Sequence, residues 1–171
     1  MAITINGSGG VTGLTALPDS AMSSGSIIQV VTVGTNAQIT STTTSLAEIT
    51  SDLRVSITPT NANNLILVQG FFGNLHSHTY AFTLKIMKDG TSAVDAPTTN
   101  TASDGNLMAW SSQDYMMNGS TCVSETAGST STRYYTPFWR ISTGTAYLNC
   151  YRTSGLPYRT TSRMVAMEIA A

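Results

Sequence analysis

Leu65–Phe72 has the sequence LILVQGFF, an apolar run with the length of a single strand. Pro59 and the polar segment 61–64 (NANN) come before it, and both are typical of turns. The run is apolar on both faces for most of its length, which is typical of a central strand in a sheet covered on both sides. We therefore expect residues 65–72 to form a central strand.

Segments with strand patterns continue on both sides of this run. The clearest is 53–58 (LRVSIT), in which Leu53, Val55 and Ile57 alternate with polar residues. The others are residues 26–33, 43–49, 79–88, 107–117, 133–142, 145–152 and 161–169. Turn pairs separate several of them, with Asp89-Gly90 the strongest. The pattern predicts an all-β fold, a two-sheet antiparallel sandwich of the jelly-roll type with about nine strands.

Two segments and one proline modify this prediction. Residues 91–106 and 120–131 are rich in Ser, Thr and Gly, which favours loops. Pro137 lies inside the aromatic segment 133–142. Because proline donates no hydrogen bond to a strand ladder, we expect that segment at a sheet edge or at a bulge.

Residues 1–25 differ from the rest, with five glycines and widely spaced apolar side chains. Such a segment cannot bury a core of its own and needs a surface to lie on. We interpret 1–25 as an extended N-terminal docking arm and 26–171 as the β-sandwich domain; the alternative is a frayed terminus. The residues expected to dock the arm are Ile3, Ile5, Val11, Leu14 and Leu17.

Charge is scarce in this chain of 171 residues. Asp, Glu, Lys and Arg make up 10% of it, against about 25% in a typical domain, while Ser and Thr occupy 49 positions. The net charge is −1, and the eight basic residues are spread along the sequence, which argues against a nucleic-acid partner. Weak self-repulsion lets identical chains pack side by side.

The histidines and cysteines offer little chemistry. His76 and His78 are two residues apart, so one face of a strand would carry both. No third ligand has a natural spacing to them, so we expect no metal or other cofactor; a three-fold axis that shares one ion would be the exception. Cys122 and Cys150 form no CxxC pair and are expected to be two buried thiols, with one disulfide as the alternative.

No sequence signature of an enzyme is present. The nine carboxylates are scattered, and most are in turn contexts, where Asp bonds its own backbone. The sequence has no GxSxG, P-loop, GxGxxG or HExxH motif, so we expect no catalytic residues. No basic start with a long apolar stretch opens the sequence, and no apolar run approaches the ~18–20 residues of a membrane span. We therefore expect synthesis in a cytoplasm and no membrane insertion.

Aromatic side chains are concentrated in the C-terminal third. Aromatic residues on neighbouring strands usually belong to the core, but Tyr and Trp also favour subunit interfaces and stack on sugars. The candidates for interface or glycan contact are Trp110, Tyr115, Tyr134, Trp139 and Tyr151.

Segments from both ends of the chain resemble one group of proteins. The opening MAITINGSGGVTGL with LPDSAM, the strands GSIIQVV, LRVSITP and NLILVQGFF, and the close TSRMVAMEIAA resemble small tail-fibre-like and virion-surface proteins of tailed phages, especially phages of cyanobacteria and marine bacteria. The match covers about a third of the chain and leaves 75–160 out. The resemblance implies a homotrimeric β-sandwich on a virion, and it transfers no activity and no functional residue.

Two functions follow as expectations. The first is a homotrimeric capsid decoration or cement protein on the particle exterior, attached to the major capsid protein through its arm; the absence of a heptad run or collagen-like repeat favours it. The alternative is a trimeric tail-fibre tip or adhesin that docks on a tail protein. It would bind a host-surface glycan or receptor with loops at 73–79, 91–106 and 118–131. A capsule depolymerase is the least favoured.

Overall fold

The computed structural model describes residues 4–5, 11–12, 22–77, 81–94, 107–110, 117–150 and 159–171. Within these ranges the chain is all-β, and its one helical element is a 3-10 turn at Ser51–Leu53. The strands are β1 Thr4–Ile5, β2 Val11–Thr12, β3 Ile27–Thr35, β4 Ile39–Ser41, β5 Ala47–Glu48, β6 Val55–Ile57, β7 Leu65–Phe72, β8 His76–Ser77, β9 Ala81–Lys88, β10 Ser92–Ala93, β11 Leu107–Trp110, β12 Gly119–Thr126, β13 Arg133–Ile141, β14 Ala146–Leu148 and β15 Ser162–Ile169. The all-β prediction is confirmed.

The strands form several antiparallel sheets. Four long strands make one sheet in the order β12-β7-β15-β3, so the run 65–72 is a central strand as its sequence predicts. A second sheet has the order β10-β9-β13-β5, with β11 also paired to β9 and β6 to β13. Three short strands, β4-β14-β8, form a third, and β1 pairs with β2.

The two larger sheets share one core. Inner side chains of β7 and β15, such as Ile66 and Met164, belong to the same buried cluster as Leu84 of β9 and Trp139 of β13. Each strand alternates its residues between two faces, and both sheets direct their more apolar face inward. The arrangement is sandwich-like.

Turn chemistry is confirmed at one hairpin. Asp89 and Gly90, which connect β9 to β10, have φ angles of 50° and 68°. Two consecutive positive φ values are those of the tight turn whose twist matches a hairpin, and Asp-Gly is a favoured pair for it. The backbone N–H of Thr91 closes the turn on the carbonyl of Lys88 at 3.1 Å.

Pro137 corrects the prediction of an edge or a bulge. Its strand β13 lies between β9 on one side and β6 and β5 on the other, with continuous register to β9. The carbonyl of Pro137 accepts from the N–H of Ile49 at 3.0 Å. The N–H and C=O of a strand residue point to the same side of the strand. Pro137, which has no N–H, therefore lacks its donor on the side of β6 and β5, at the gap between these two strands. A break in the partner strand therefore admits a proline into a central strand.

The predicted loop at 120–131 is the second correction. Residues 119–126 are strand β12, which pairs with all eight residues of β7. Its Ser, Thr and Gly content favours a loop, but tertiary pairing with an apolar strand overrides that local signal. Residues 118–131 are therefore mostly strand and not a receptor-binding loop.

Candidate functional site

One face of the four-stranded sheet carries most of the exposed large hydrophobic side chains in the part of the chain that the structure describes. Register places sixteen side-chain positions on it, four from each strand, and each is exposed or half-buried. We call these positions the outer face: Ser120, Cys122, Ser124 and Thr126 of β12; Leu65, Leu67, Gln69 and Phe71 of β7; Arg163, Val165, Met167 and Ile169 of β15; and Ile27, Val30, Thr32 and Gly34 of β3.

Six large apolar side chains are adjacent at one end of this face. Cross-strand pairing sets Ile169 beside Leu65 and Ile27, and sets Met167 beside Leu67 and Val30. We call these six residues the apolar block. Directly opposite residues in a sheet are close enough to touch, so the block is continuous across three strands.

Exposure figures single out this face within the described residues. Among all the described residues, five large hydrophobic side chains are exposed. Four of the five lie on the outer face: Ile27 at 54%, Val30 at 56%, Leu65 at 38% and Phe71 at 48%. The fifth, Met117, comes two residues before β12. Contiguous exposed apolar patches mark interaction sites, whereas single exposed apolar residues are ordinary.

This exposure corrects the expectation that residues 65–72 are covered on both sides. The inner positions of β7, such as Ile66 and Val68, are fully buried, but Leu65 and Phe71 face outward and are exposed. An apolar run on both faces is typical of a strand between two layers. One of those two layers is therefore not supplied by the described residues of the same chain.

Charge is nearly absent from the outer face. Arg163 is its one charged position and lies at a corner, beside Gly34 and Phe71. Hydroxyl side chains of Ser120, Ser124 and Thr126 form the flank on β12. The surface thus combines an apolar block at one end with a polar uncharged border along β12, and protein–protein interfaces likewise combine apolar and polar parts.

A buried carboxylate fixes the end of the sheet under the apolar block. Glu168 of β15 is fully buried, and its Oε1 accepts hydrogen bonds from the backbone N–H and the hydroxyl of Thr60 and from Nδ2 of Asn64, each at 2.7 Å. Gln29 Nε2 donates to the other carboxylate oxygen. Burial opposes ionisation, but these hydrogen bonds outweigh it and hold the pKa of Glu168 below its usual value. The turn before β7 and strands β3 and β15 are thereby tied together.

A second carboxylate joins the two larger sheets. Glu125 of β12 accepts a hydrogen bond from the hydroxyl of Tyr135 on β13 at 2.7 Å and pairs with Nζ of Lys88 on β9 at 2.8 Å. Burial and the hydrogen bond to Glu125 raise the pKa of the Tyr135 hydroxyl. The sheet that forms the outer face is therefore bonded through its inner side to the second sheet.

The aromatic candidates do not form one surface in the described residues. Trp139 is 2% exposed and is among the largest buried side chains of the core, so it is wrong as a surface contact. Tyr134 is half-buried, with the guanidinium of Arg54 5.0 Å from its ring centroid. Of Trp110 the backbone is described, in β11. Tyr115 and Tyr151 lie outside the described residues.

A scan against protein-family models finds no match to this chain, and a search of curated proteins finds no match either. The outer face is therefore interpreted from its own chemistry.

The speculative histidine site is not assembled in the described residues. His76 of β8 is buried and stacks on Tyr147, with ring centroids 4.8 Å apart. His78 lies outside the described residues. Among the residues that are described, no group of three His, Cys, Asp or Glu side chains is placed to hold a metal ion. The same residues contain no helix long and apolar enough to cross a membrane.

The predicted cysteine and arm positions are only partly described. Cys122 and Cys150 are both free thiols; Cys150 is buried as expected, but Cys122 is exposed because it is an outward position of β12, on the outer face. In the arm, β1 and β2 form a two-stranded antiparallel pair with Ile5 opposite Val11. Ile3, Leu14 and Leu17 lie outside the described residues, and docking by the arm stays a prediction.

Sequence reasoning missed the outer face as a site, although the signal was present. Strand β3 (IIQVVTVGT) and the centre of β15 (MVAMEI) are apolar on both faces, as β7 is. Aligned side by side, three such strands need cover on two sides. The sequence did not specify that these three strands lie next to one another in the sheet.

Proposed function

We propose that this protein is a non-enzymatic structural protein of a phage virion, a homotrimeric capsid decoration protein on the particle exterior. Its two larger sheets act as a two-sheet sandwich of the jelly-roll type, and its N-terminal arm attaches it to the major capsid protein. The resemblance of its terminal segments to virion-surface proteins supports this location.

The observation that carries the proposal is the uncovered apolar outer face. A sheet with eight large apolar residues among sixteen outward positions is unfavourable in water as a lone monomer. A protein whose work is to assemble with other proteins of a shell has a permanent cover for such a face.

The pairing of β1 with β2 supports a separate role for the arm. The two short strands join each other and are not part of the sheets formed by the other described strands. A hairpin with Ile5 opposite Val11 is too small to be stable alone and gains stability when it lies on another surface. The capsid shell provides that surface in this proposal.

The test is to label the protein on purified particles of the phage that encodes it and to image them by electron microscopy. Label over the whole head is the expected result. Label confined to the tail vertex would replace decoration by the tail-fibre alternative, in which the arm docks on a tail protein and the far end binds a host-surface glycan. Particles without label would overturn both assignments.

A further inference from the structure

We propose that the outer face of the four-stranded sheet is the surface through which copies of this chain bind one another, with the apolar block at the centre of the contact. The inference rests on the proposed function and deepens it, because it assigns the occupant of that face. The occupant is a second copy of the same chain, in a sheet-to-sheet contact.

Charge argues for this occupant. The outer face offers a partner one cation, at the corner position Arg163, and no carboxylate. A strongly charged partner would lose its hydration there and gain no counter-charge. The apolar block of an identical face carries no charge, so its burial has no such cost, and the low net charge of the whole chain keeps the approach of two copies free of strong repulsion.

The polar border also matches a copy of itself. Ser124 and Thr126 flank the apolar block on the β12 side, and Thr32 flanks Val165 on the β3 side. Hydroxyl groups both donate and accept hydrogen bonds, so two such borders satisfy each other in more than one orientation. Fixed charges at these positions would demand an opposite partner instead.

The size of the face suffices for a specific contact. Four strands about 4.8 Å apart, each with eight residues that rise about 3.3 Å, cover roughly 500 Å². Two such faces bury roughly 1,000 Å² in total, the lower limit for a biological interface. In a closed ring of three copies each outer face is divided between two neighbours, so the three faces together are buried around the axis.

Phe71 and the depression beside it supply an anchor and a receiving site. The depression has a volume of about 330 Å³ and is lined by Gln69, Ser120, Thr121 and Cys122 together with Phe71. Buried aromatic rings that enter pockets contribute most to interface affinity. Because both features lie on the same face, each copy presents what the other receives.

The first experiment measures assembly directly. Wild-type protein at micromolar concentration should sediment as an oligomer, with the trimer as the expected species. Val30→Glu and Phe71→Glu each place a charge in the contact and should weaken association by at least about 100-fold. Thr40→Glu makes the same change at an exposed position of β4, outside this sheet, and should leave the oligomer intact.

A second measurement does not depend on the glutamate variants folding. In a Cys150→Ser background, Cys122 is the one thiol, and its position on the outer face reports cover. Its rate of reaction with a maleimide should fall as protein concentration rises through the dissociation range. A rate that does not change with concentration, while sedimentation shows the oligomer dissociating across the same range, would overturn the assignment of this face.

Other outcomes separate this inference from the proposed function. An oligomer unaffected by folded Val30→Glu and Phe71→Glu places the contact elsewhere and leaves a virion role standing. A monomer whose Cys122 becomes reactive only after removal of residues 1–21 assigns the face to the arm and overturns the inference. The protein could also be a monomer with a reactive Cys122 and still be found on particles by labelling. That result would assign the face to another virion protein and overturn the inference.

Discussion

Glu168 is the residue on which the end of the sheet depends. Its carboxylate is fully buried, and every hydrogen-bond donor that the described residues supply to it is neutral: Gln29, Thr60, Asn61 and Asn64. A buried charge is tolerated when hydrogen bonds replace its hydration. Loss of the charge would weaken these hydrogen bonds and replace one acceptor position by an O–H donor, so the network is most stable with Glu168 ionised.

Acid should therefore destabilise the protein through this group. The pKa of Glu168 is lower in the folded state than in the unfolded chain, where it is about 4.3. The stability that this difference provides is complete above pH 4.3 and is lost as pH falls through the folded pKa. Urea unfolding across pH 2–7 should show this loss for the wild type.

Glu168→Gln should remove that pH-dependent loss and lower the free energy of unfolding at pH 7 by about 2 kcal/mol, because an amide group meets donors that need an acceptor. Asp52→Asn is the control, since Asp52 is an exposed carboxylate whose recorded side-chain contact is a 3.3 Å bond from Thr35. An unchanged acid profile in Glu168→Gln would show that another carboxylate carries the effect.

At the scale of elements, the tie between sheets through Tyr135 is the one most open to test. Its pKa lies above the value of about 10 in an unfolded chain, because burial and the bond to Glu125 favour the protonated form. The stability that this difference in pKa provides is therefore complete below pH 10 and is lost as pH rises beyond it. Unfolding followed from pH 8 to 11.5 should show this decline.

Tyr135→Phe should lower the free energy of unfolding at neutral pH by about 1 kcal/mol and remove the contribution of Tyr135 to the alkaline decline. Tyr134→Phe makes the same change one residue away, on a half-buried ring, and is the matched control. If the two variants behave alike, Glu125 does not join the sheets through this hydroxyl.

The elements that could be predicted from sequence are those with a strong local pattern. The run 65–72 and the Asp89-Gly90 turn needed no tertiary information, because periodicity and turn chemistry specify them. Strand β12 could not be found this way, since Ser, Thr and Gly dominate it and its partner β7 determines its conformation. Pro137 was misplaced because a central strand accepts proline only where its neighbour is interrupted, and sequence does not show neighbours.

The candidate site has the same limit. Each outer-face side chain belongs to a strand, but the face exists only once β7, β15 and β3 lie side by side in register. Individual aromatic residues were a poorer guide, since Trp139 proved to be core. Strands that are apolar on both faces were the useful signal. They indicated that a second layer covers the sheet, but not whether that layer comes from the same chain or from another.

For the whole molecule, the arm and the domain should be separable. The backbone N–H of Gly25 donates to the carbonyl of Ala170 at 2.9 Å, so a deletion should stop before that residue. We expect a variant without residues 1–21 to keep the β-sheet circular dichroism spectrum of the full chain and to lose attachment to particles. Co-sedimentation with particles depleted of this protein measures the second effect.

Two results would contradict this expectation. Loss of the β-sheet spectrum in the deletion variant would make the arm part of the folded core. Attachment at the level of the full chain would move the docking function from the arm to the domain. The full chain, added back to the same particles, is the control for their competence to bind.

The order of strands in the four-stranded sheet also has a consequence during translation. Among the described strands, β3 lies at one edge of this sheet and pairs with β15. Strand β15 begins about 130 residues further along the chain, a length that a ribosome takes roughly 6 to 26 s to synthesise. For that interval Ile27, Val30 and their neighbours are an unpaired apolar segment on a nascent chain. We therefore expect chaperones that bind apolar segments at the ribosome to raise the yield of folded protein.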